Sequence, residues 1–259
     1  IITPLGKLTL IGLLFLTYKL NLFSALTTVI LLPFMAFFIG SLIVPKDFLK
    51  AKGDEKEALS ELFHFSKWII VSIFAVLIMS RLDIFMLTYF RTAKEVGYYS
   101  AAFGFSFAFN IITGSFVAVL LPKITRYFKR NELRKYIIKI LKYTGIIAAI
   151  SLLIIPFSKL LVLSLYGDVY YDSIIVFKIL VIAFILGFVI SPVSTAFYAI
   201  NKPKILAFLN LFELIVNFVG NYFMIPIYGV VGAAIVPLIA HGAGGLYLAI
   251  MLAKSFYGY

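Results

Sequence analysis

Arg81 and Asp83 stand two residues apart inside an apolar run. Asn210, Glu213, Asn217 and Asn221 recur at spacings of three, four and four inside another, and His241 opens a His-Gly-Ala-Gly-Gly stretch inside a third. A polar group in an apolar interior costs free energy unless it finds a partner, so each of these marks a candidate site. A guanidinium fork suits the oxygens of a diphosphate, which makes Arg81 a candidate anchor for one. Residues two apart on a helix point to nearly opposite sides, so Arg81 and Asp83 should not pair with each other. The Asp83 side carries Ser72, Val76 and Ser80, small or polar groups suited to an interface or cavity; the Arg81 side carries Phe74, Leu77, Ile78 and Phe85. Arg81 sits about 13 Å from the nearer end of its helix, within snorkelling reach of the interface. The spacing of the asparagines and Glu213 places them on one continuous helix face. Such a polar stripe is expected to line a cavity, with Asn217 and Asn221 binding substrate. Glu213 can carry a proton, and with Asp83 it is assigned to coupling or gating. His241 is assigned to substrate binding. Pro192, within Ser-Pro-Val-Ser-Thr, bends its helix and offers a hinge.

These residues are carried by a chain that cannot be soluble. Of 259 residues 63% are hydrophobic and 13% charged, and the mean hydropathy is +1.09. A soluble domain has about a quarter of its residues charged. The long apolar runs do not alternate as the strands of a membrane barrel would, so the expected fold is all-α, a polytopic membrane helix bundle. Eight apolar segments are read at 3–18, 23–44, 68–90, 96–121, 143–163, 174–200, 205–225 and 230–252, most of them near the 20 residues a bilayer requires. The longest connections, 45–67 and 122–142, are rich in Lys and Arg. Threading the eight segments puts 17 of the 23 basic residues on one side. The positive-inside rule makes that side cytoplasmic and places both termini of the segment there. The basic loops are read as topology determinants facing anionic headgroups, not as a nucleic-acid surface. With no cysteine there is no disulfide framework or thiolate metal site. Tyr98, Tyr99, Tyr166, Tyr170 and Tyr171 are expected in an interfacial aromatic belt.

Four stretches carry a family resemblance in order: RLDIFMLTYFRTAKEVGYYSAA (81–102), LLPKITRYF (120–128), LYGDVYYDSIIVFKIL (165–180) and AFYAINKPKILAFLNLFELIVNFVGNYFMIPIYGVVGAAI (196–235). Together they resemble the Wzx-type polysaccharide (O-antigen) flippases, part of a superfamily that includes multidrug extruders. The resemblance implies two six-helix lobes around a central cavity. On that template residues 1–44 are the last two helices of the first lobe, 45–67 a basic cytoplasmic linker and 68–259 a six-helix second lobe. The chain begins at Ile1 and shows no signal peptide, so it reads as a C-terminal fragment whose first lobe is incomplete. The implied activity is transport, not catalysis: a lipid-linked (isoprenoid-diphosphate) oligosaccharide passes from the cytoplasmic to the outer face of the plasma membrane by alternating access. The expected partners are that cargo and membrane lipids, for a monomer with no cofactor or metal and with H+ or Na+ as coupling ion. The alternatives are a multidrug or cation antiporter of the same superfamily, and a membrane-embedded glycosyltransferase or polymerase, for which Asp168 and Asp172, in one short outer loop, come nearest to the acids such an enzyme needs.

Overall fold

The structure is a computed structural model that describes residues 2–43, 55–125 and 130–257. Every described element is helical. A helix satisfies its backbone hydrogen bonds within itself, which lipid demands. Among the described residues six helical stretches are long and apolar enough to cross a membrane.

The chain divides into two compact units, Ile1–Ala58 and Leu59–Tyr259. In the first, α1 (Ile2–Leu16) packs on α2 (Leu22–Ile43). Gly6 lies against Leu32, where a Cβ would stand 3.2 Å from the leucine. Asn21 starts α2: its Oδ1 accepts from the Ser24 N–H at 2.8 Å, and Ser24 Oγ accepts from the Asn21 N–H at 2.9 Å. Two of the backbone donors at that end are thereby satisfied.

The second unit holds α3 (Glu55–Phe90) from Leu59 onward, α4 (Ala93–Ser106), α5 (Ala108–Ile124), α6 (Arg130–Ser151), α7 (Ser158–Tyr166), α8 (Ser173–Ala199) and α9 (Pro203–Tyr257). Its boundaries differ from the apolar segments in informative ways. Helix α3 begins at Glu55, well before its apolar run, because a helix needs no apolar side chains where it extends beyond the hydrocarbon core. The basic connection 122–142 is helical from Arg130 onward. There Leu133, Ile137, Ile140 and Thr144 are buried at spacings of four, three and four, so an amphipathic face packs inward while the Lys and Arg project. Residues 126–129 of that connection and 45–54 of the linker 45–67 lie outside the described residues. The segment 143–163 is split by a 3-10 stretch, Leu152–Phe157, that contains Pro156. Proline has no N–H to donate and its ring collides with the preceding turn. By contrast α8 continues unbroken through Pro192.

Helix α9 is a hairpin. At Gly229 the backbone takes φ 57° and ψ −136°, a conformation open to glycine and costly for any residue with a Cβ. Along a continuous helix Glu213 and His241 would be about 42 Å apart; their side chains lie 3.6 Å apart. The arm 203–228 therefore runs antiparallel to the arm 230–257. The segments read at 205–225 and 230–252 are these two arms.

Arg91, just after α3, holds the turn end of the hairpin. Its Nε and Nη2 donate to the Ile225 carbonyl at 3.0 and 2.8 Å, and Nη2 also donates to the Pro226 carbonyl at 2.9 Å. These are the orphan carbonyls at the end of a helical arm, where a cation is favoured. Glu95 lies 3.9 Å from Arg91 and closes a capping box with Thr92 at the start of α4. Arg91→Ala is expected to lower unfolding free energy by about 2 kcal/mol, as loss of charged hydrogen bonds does. Arg91→Lys should recover less than half, because an ammonium lacks the planar fork. Unfolding of the purified protein in detergent measures both.

Helix α8 is the central element, packed against α4, α5, α6, α7 and α9. Its first half joins a core with Leu87, Tyr99, Val162 and Ile225. Its second half, through Val193 and Phe197, joins another with Ile124, Ile137, Leu206 and Leu248.

Candidate functional site: a polar cavity in the second unit

Between these helices lies a cavity of about 650 Å³. Helix α3 contributes Ser80 and Asp83, α4 contributes Phe103, α5 contributes Asn110 and Thr113, and α8 contributes Ser191, Ser194, Thr195 and Tyr198. The two arms of α9 contribute Asn210, Glu213 and Asn217 from one side and His241 from the other. Among the described residues that line it there is no Lys or Arg. The ionisable groups are two carboxyls, one imidazole and one phenol.

Asp83 is the fixed centre of one wall. The Tyr99 hydroxyl donates to Oδ2 at 2.8 Å and Asn221 Nδ2 donates to Oδ1 at 2.6 Å. Asn221 Nδ2 also donates to Asn217 Oδ1 at 2.8 Å. All four residues are buried, so each interhelical bond replaces contact with water that folding has removed. Asn221 Oδ1 is buried with no hydrogen-bond partner among the described residues. One turn or more away along the same face, Asn210 Nδ2 donates to Ser72 Oγ. The α9 stripe is thus bolted to α3 at Ser72 and Asp83, the small and polar face read from sequence.

Glu213 is held differently. Its carboxyl makes no hydrogen bond among the described residues, and its neighbour is His241, with Nδ1 3.6 Å from Oε1. Gly244 abuts the carboxyl so closely that a Cβ there would collide with Oε1 and stand 3.0 Å from Leu209. The His241 ring in turn lies against Gly187 of α8.

The structure brings together Asp83, Glu213, Asn217 and His241 on the cavity wall and sets Asn221 directly behind it. It does not bring Arg81 to them. Arg81 is exposed on the opposite side of α3, alongside Phe74, Ile78 and Phe85, which are 63%, 51% and 75% exposed. Tyr99 corrects the expected aromatic belt: it is fully buried, with its hydroxyl on Asp83. Tyr98 is buried as well, whereas Tyr171 is 59% exposed. The signal for Tyr99 lay in the turn, since Asp83 and Tyr99 are each eight residues from Arg91 and so meet across an antiparallel pair. Asp168 and Asp172 are both exposed, in and just after a 3-10 turn, and no three His, Asp or Glu gather among the described residues.

A family model described as polysaccharide biosynthesis protein matches residues 24–176. The "Putative O-antigen transporter" of Shigella flexneri is 26% identical over 229 residues, covering 85% of this chain and 54% of that protein. The "Probable low-salt glycan biosynthesis flippase Agl15" of Haloferax volcanii is 24% identical over 180 residues, covering 67% of this chain and 38% of that protein. The chain therefore spans about half or less of the length of these curated relatives. No solved structure matches it.

Proposed function

The chain belongs to the polysaccharide biosynthesis protein family, and from that membership we propose that it works as part of a flippase for lipid-linked oligosaccharide. The cargo is an isoprenoid-diphosphate-linked repeat unit, moved from the cytoplasmic to the outer face of the plasma membrane. The protein binds and moves its cargo without catalysing a reaction on it, as a monomer whose segment has both ends in the cytoplasm. Two lobes rock around a mid-membrane site in alternating access. One observation carries the reading: a cavity of about 650 Å³, lined largely by apolar side chains, into which Asp83, Glu213, Asn217 and His241 bring polar groups. Irregular polar space at membrane depth persists where it lines a path for a polar species.

Charge divides the roles. A diphosphate is repelled by a wall bearing Asp83 and Glu213, so the anionic part of the cargo is assigned to Arg81 on the exposed side of α3. Asn217 and His241 offer donors and acceptors to sugar hydroxyls, and Asn221 orients Asn217. Asp83 and Glu213 serve coupling or gating by H+ or Na+.

The test uses the full-length protein in proteoliposomes, with a labelled lipid-diphosphate oligosaccharide placed in one leaflet and followed into the other. Arg81→Ala is expected to slow transfer about tenfold or more, the worth of a charged hydrogen bond to phosphate. Unchanged transfer removes Arg81 from the cargo path. A second reading, a cation extruder, is favoured by the acidic lining and by Phe103, Phe107 and Phe184 around the cavity. Efflux of a cationic dye from the same vesicles, with no cargo transfer, would select it.

A further inference from the structure

We propose that Glu213 and His241 form a single shared proton site, distinct from the Asp83 centre, and that loading this site ties the two arms of α9 together. The proposal rests on the flippase reading for its role in transport, though not for its existence.

The two carboxyls are held differently. Both Asp83 oxygens already accept hydrogen bonds, from Tyr99 and Asn221. A proton there would compete with an existing donor. Glu213 has no donor among the described residues except the His241 ring at 3.6 Å, longer than a hydrogen bond. The pair is close enough for strong attraction once a proton is present and is not locked without one. Glu213 and His241 both line the cavity, so water there can deliver and remove the proton.

The surroundings supply no substitute. Facing the pair, α3 presents Asp83 and α8 presents Tyr198, while α4 and α5 present only Phe103, Phe107, Asn110 and Thr113. Tyr99 of α4 is engaged on Asp83. Arg134 of α6 belongs to a separate groove with Gly245 and Leu248. A protonated His241 is therefore the one cation among the described groups lining the cavity. With the pair loaded, the wall carries the charge of Asp83 alone; unloaded, it carries two negative charges with no counter-charge. Uncompensated charge in a bundle interior is costly, and a proton on the pair removes part of it.

The mechanical consequence follows from the hairpin. Glu213 lies on one arm and His241 on the other, far along both from the turn at Gly229. That turn is held by Arg91, and toward the other end Leu206, Leu209 and Leu248 share a buried core, so the contact of the pair acts on the arms between two fixed points. Gaining the proton closes the Glu213–His241 contact across the arms, against Gly187 and Gly244; losing it releases that contact.

The experiment labels histidine with nitrogen-15 in the full-length protein in lipid bilayers, without cargo. His241 is assigned by the signal lost in His241→Asn. Near neutral pH the ratio of protonated to neutral His241 ring is expected to fall about tenfold or more in Glu213→Gln, the effect of removing an opposite charge at this range. An unchanged ratio overturns the shared site. In proteoliposomes, the ratio of cargo transfer with a proton gradient to transfer without one is expected to fall to unity in Glu213→Gln. The exchange Glu213→His with His241→Glu should bring it back, which also guards against a variant that merely folds badly. A gradient response that survives in Glu213→Gln overturns the coupling role. Loss of the nitrogen-15 effect with transfer intact defeats the proton site and spares the flippase. The nitrogen-15 effect in a protein that transfers no cargo does the reverse.

Discussion

Replacing Asp83 with leucine is expected to cost about 3 kcal/mol of stability and to abolish transport. The carboxylate is the acceptor for a fully buried tyrosine hydroxyl and a fully buried asparagine amide. Leucine leaves both donors facing an apolar side chain, and each orphaned buried donor costs about 1–3 kcal/mol. Asn221 keeps its bond to Asn217, so the larger share falls on Tyr99. Tyr99→Phe in the Asp83→Leu background should therefore recover part of the loss, since it removes the stranded hydroxyl. The double-mutant cycle is expected to show coupling of about 1–2 kcal/mol, read from unfolding in detergent. Asp83→Asn keeps an acceptor at the same place and should cost less than leucine. Simple additivity between the Asp83 and Tyr99 changes would contradict the network.

Gly244→Val is expected to be the most damaging change in the His-Gly-Ala-Gly-Gly stretch, whereas Gly242→Ala in the same stretch should be nearly silent. A Cβ at Gly242 meets nothing within 4 Å. At Gly244 it strikes the Glu213 carboxyl, with Leu209 at 3.0 Å. Overpacking of this kind costs about 1–3 kcal/mol, and here the group displaced is half of the Glu213–His241 pair. Gly244→Ala should already disturb it, and Glu213→Asp should partly relieve the alanine by withdrawing the carboxyl by one methylene. Transfer rate and unfolding, measured side by side, separate the two losses. Equal effects at 242 and 244 would refute the close approach.

Much of this site was legible as spacing. The three-four-four repeat of Asn210, Glu213, Asn217 and Asn221 identified the face that meets α3, and the small residues above Asp83 identified the side that receives it. What spacing could not supply was the meeting of elements distant in the chain. His241 becomes a partner of Glu213 only because Gly229 reverses the helix, and a glycine in an apolar run reads equally well as a packing residue. Tyr99 was assigned to a belt because an amphipathic ring near a helix start fits the interface; its burial depends on the fold of α3 against α4. The basic stretch after 130 looked like a loop because it carries as many charges as apolar residues, yet three buried side chains at helical spacing suffice to seat α6. Arg81 was legible as an isolated charge, and its position away from the cavity follows from being two residues from Asp83.

The 138 residues that separate Asp83 from Asn221 also set an order of events at the ribosome. At about 5–20 residues per second, Asp83 is synthesised roughly 7 to 28 s before Asn221. A carboxylate at the middle of a helix opposes insertion by about 2.5–3.5 kcal/mol. Tyr99 follows after only 16 residues and becomes the first group able to share that load. The α3–α4 hairpin is thus the smallest piece of the nascent chain that can carry Asp83 into lipid with a partner, and Asn221 completes an arrangement that biogenesis has already had to begin.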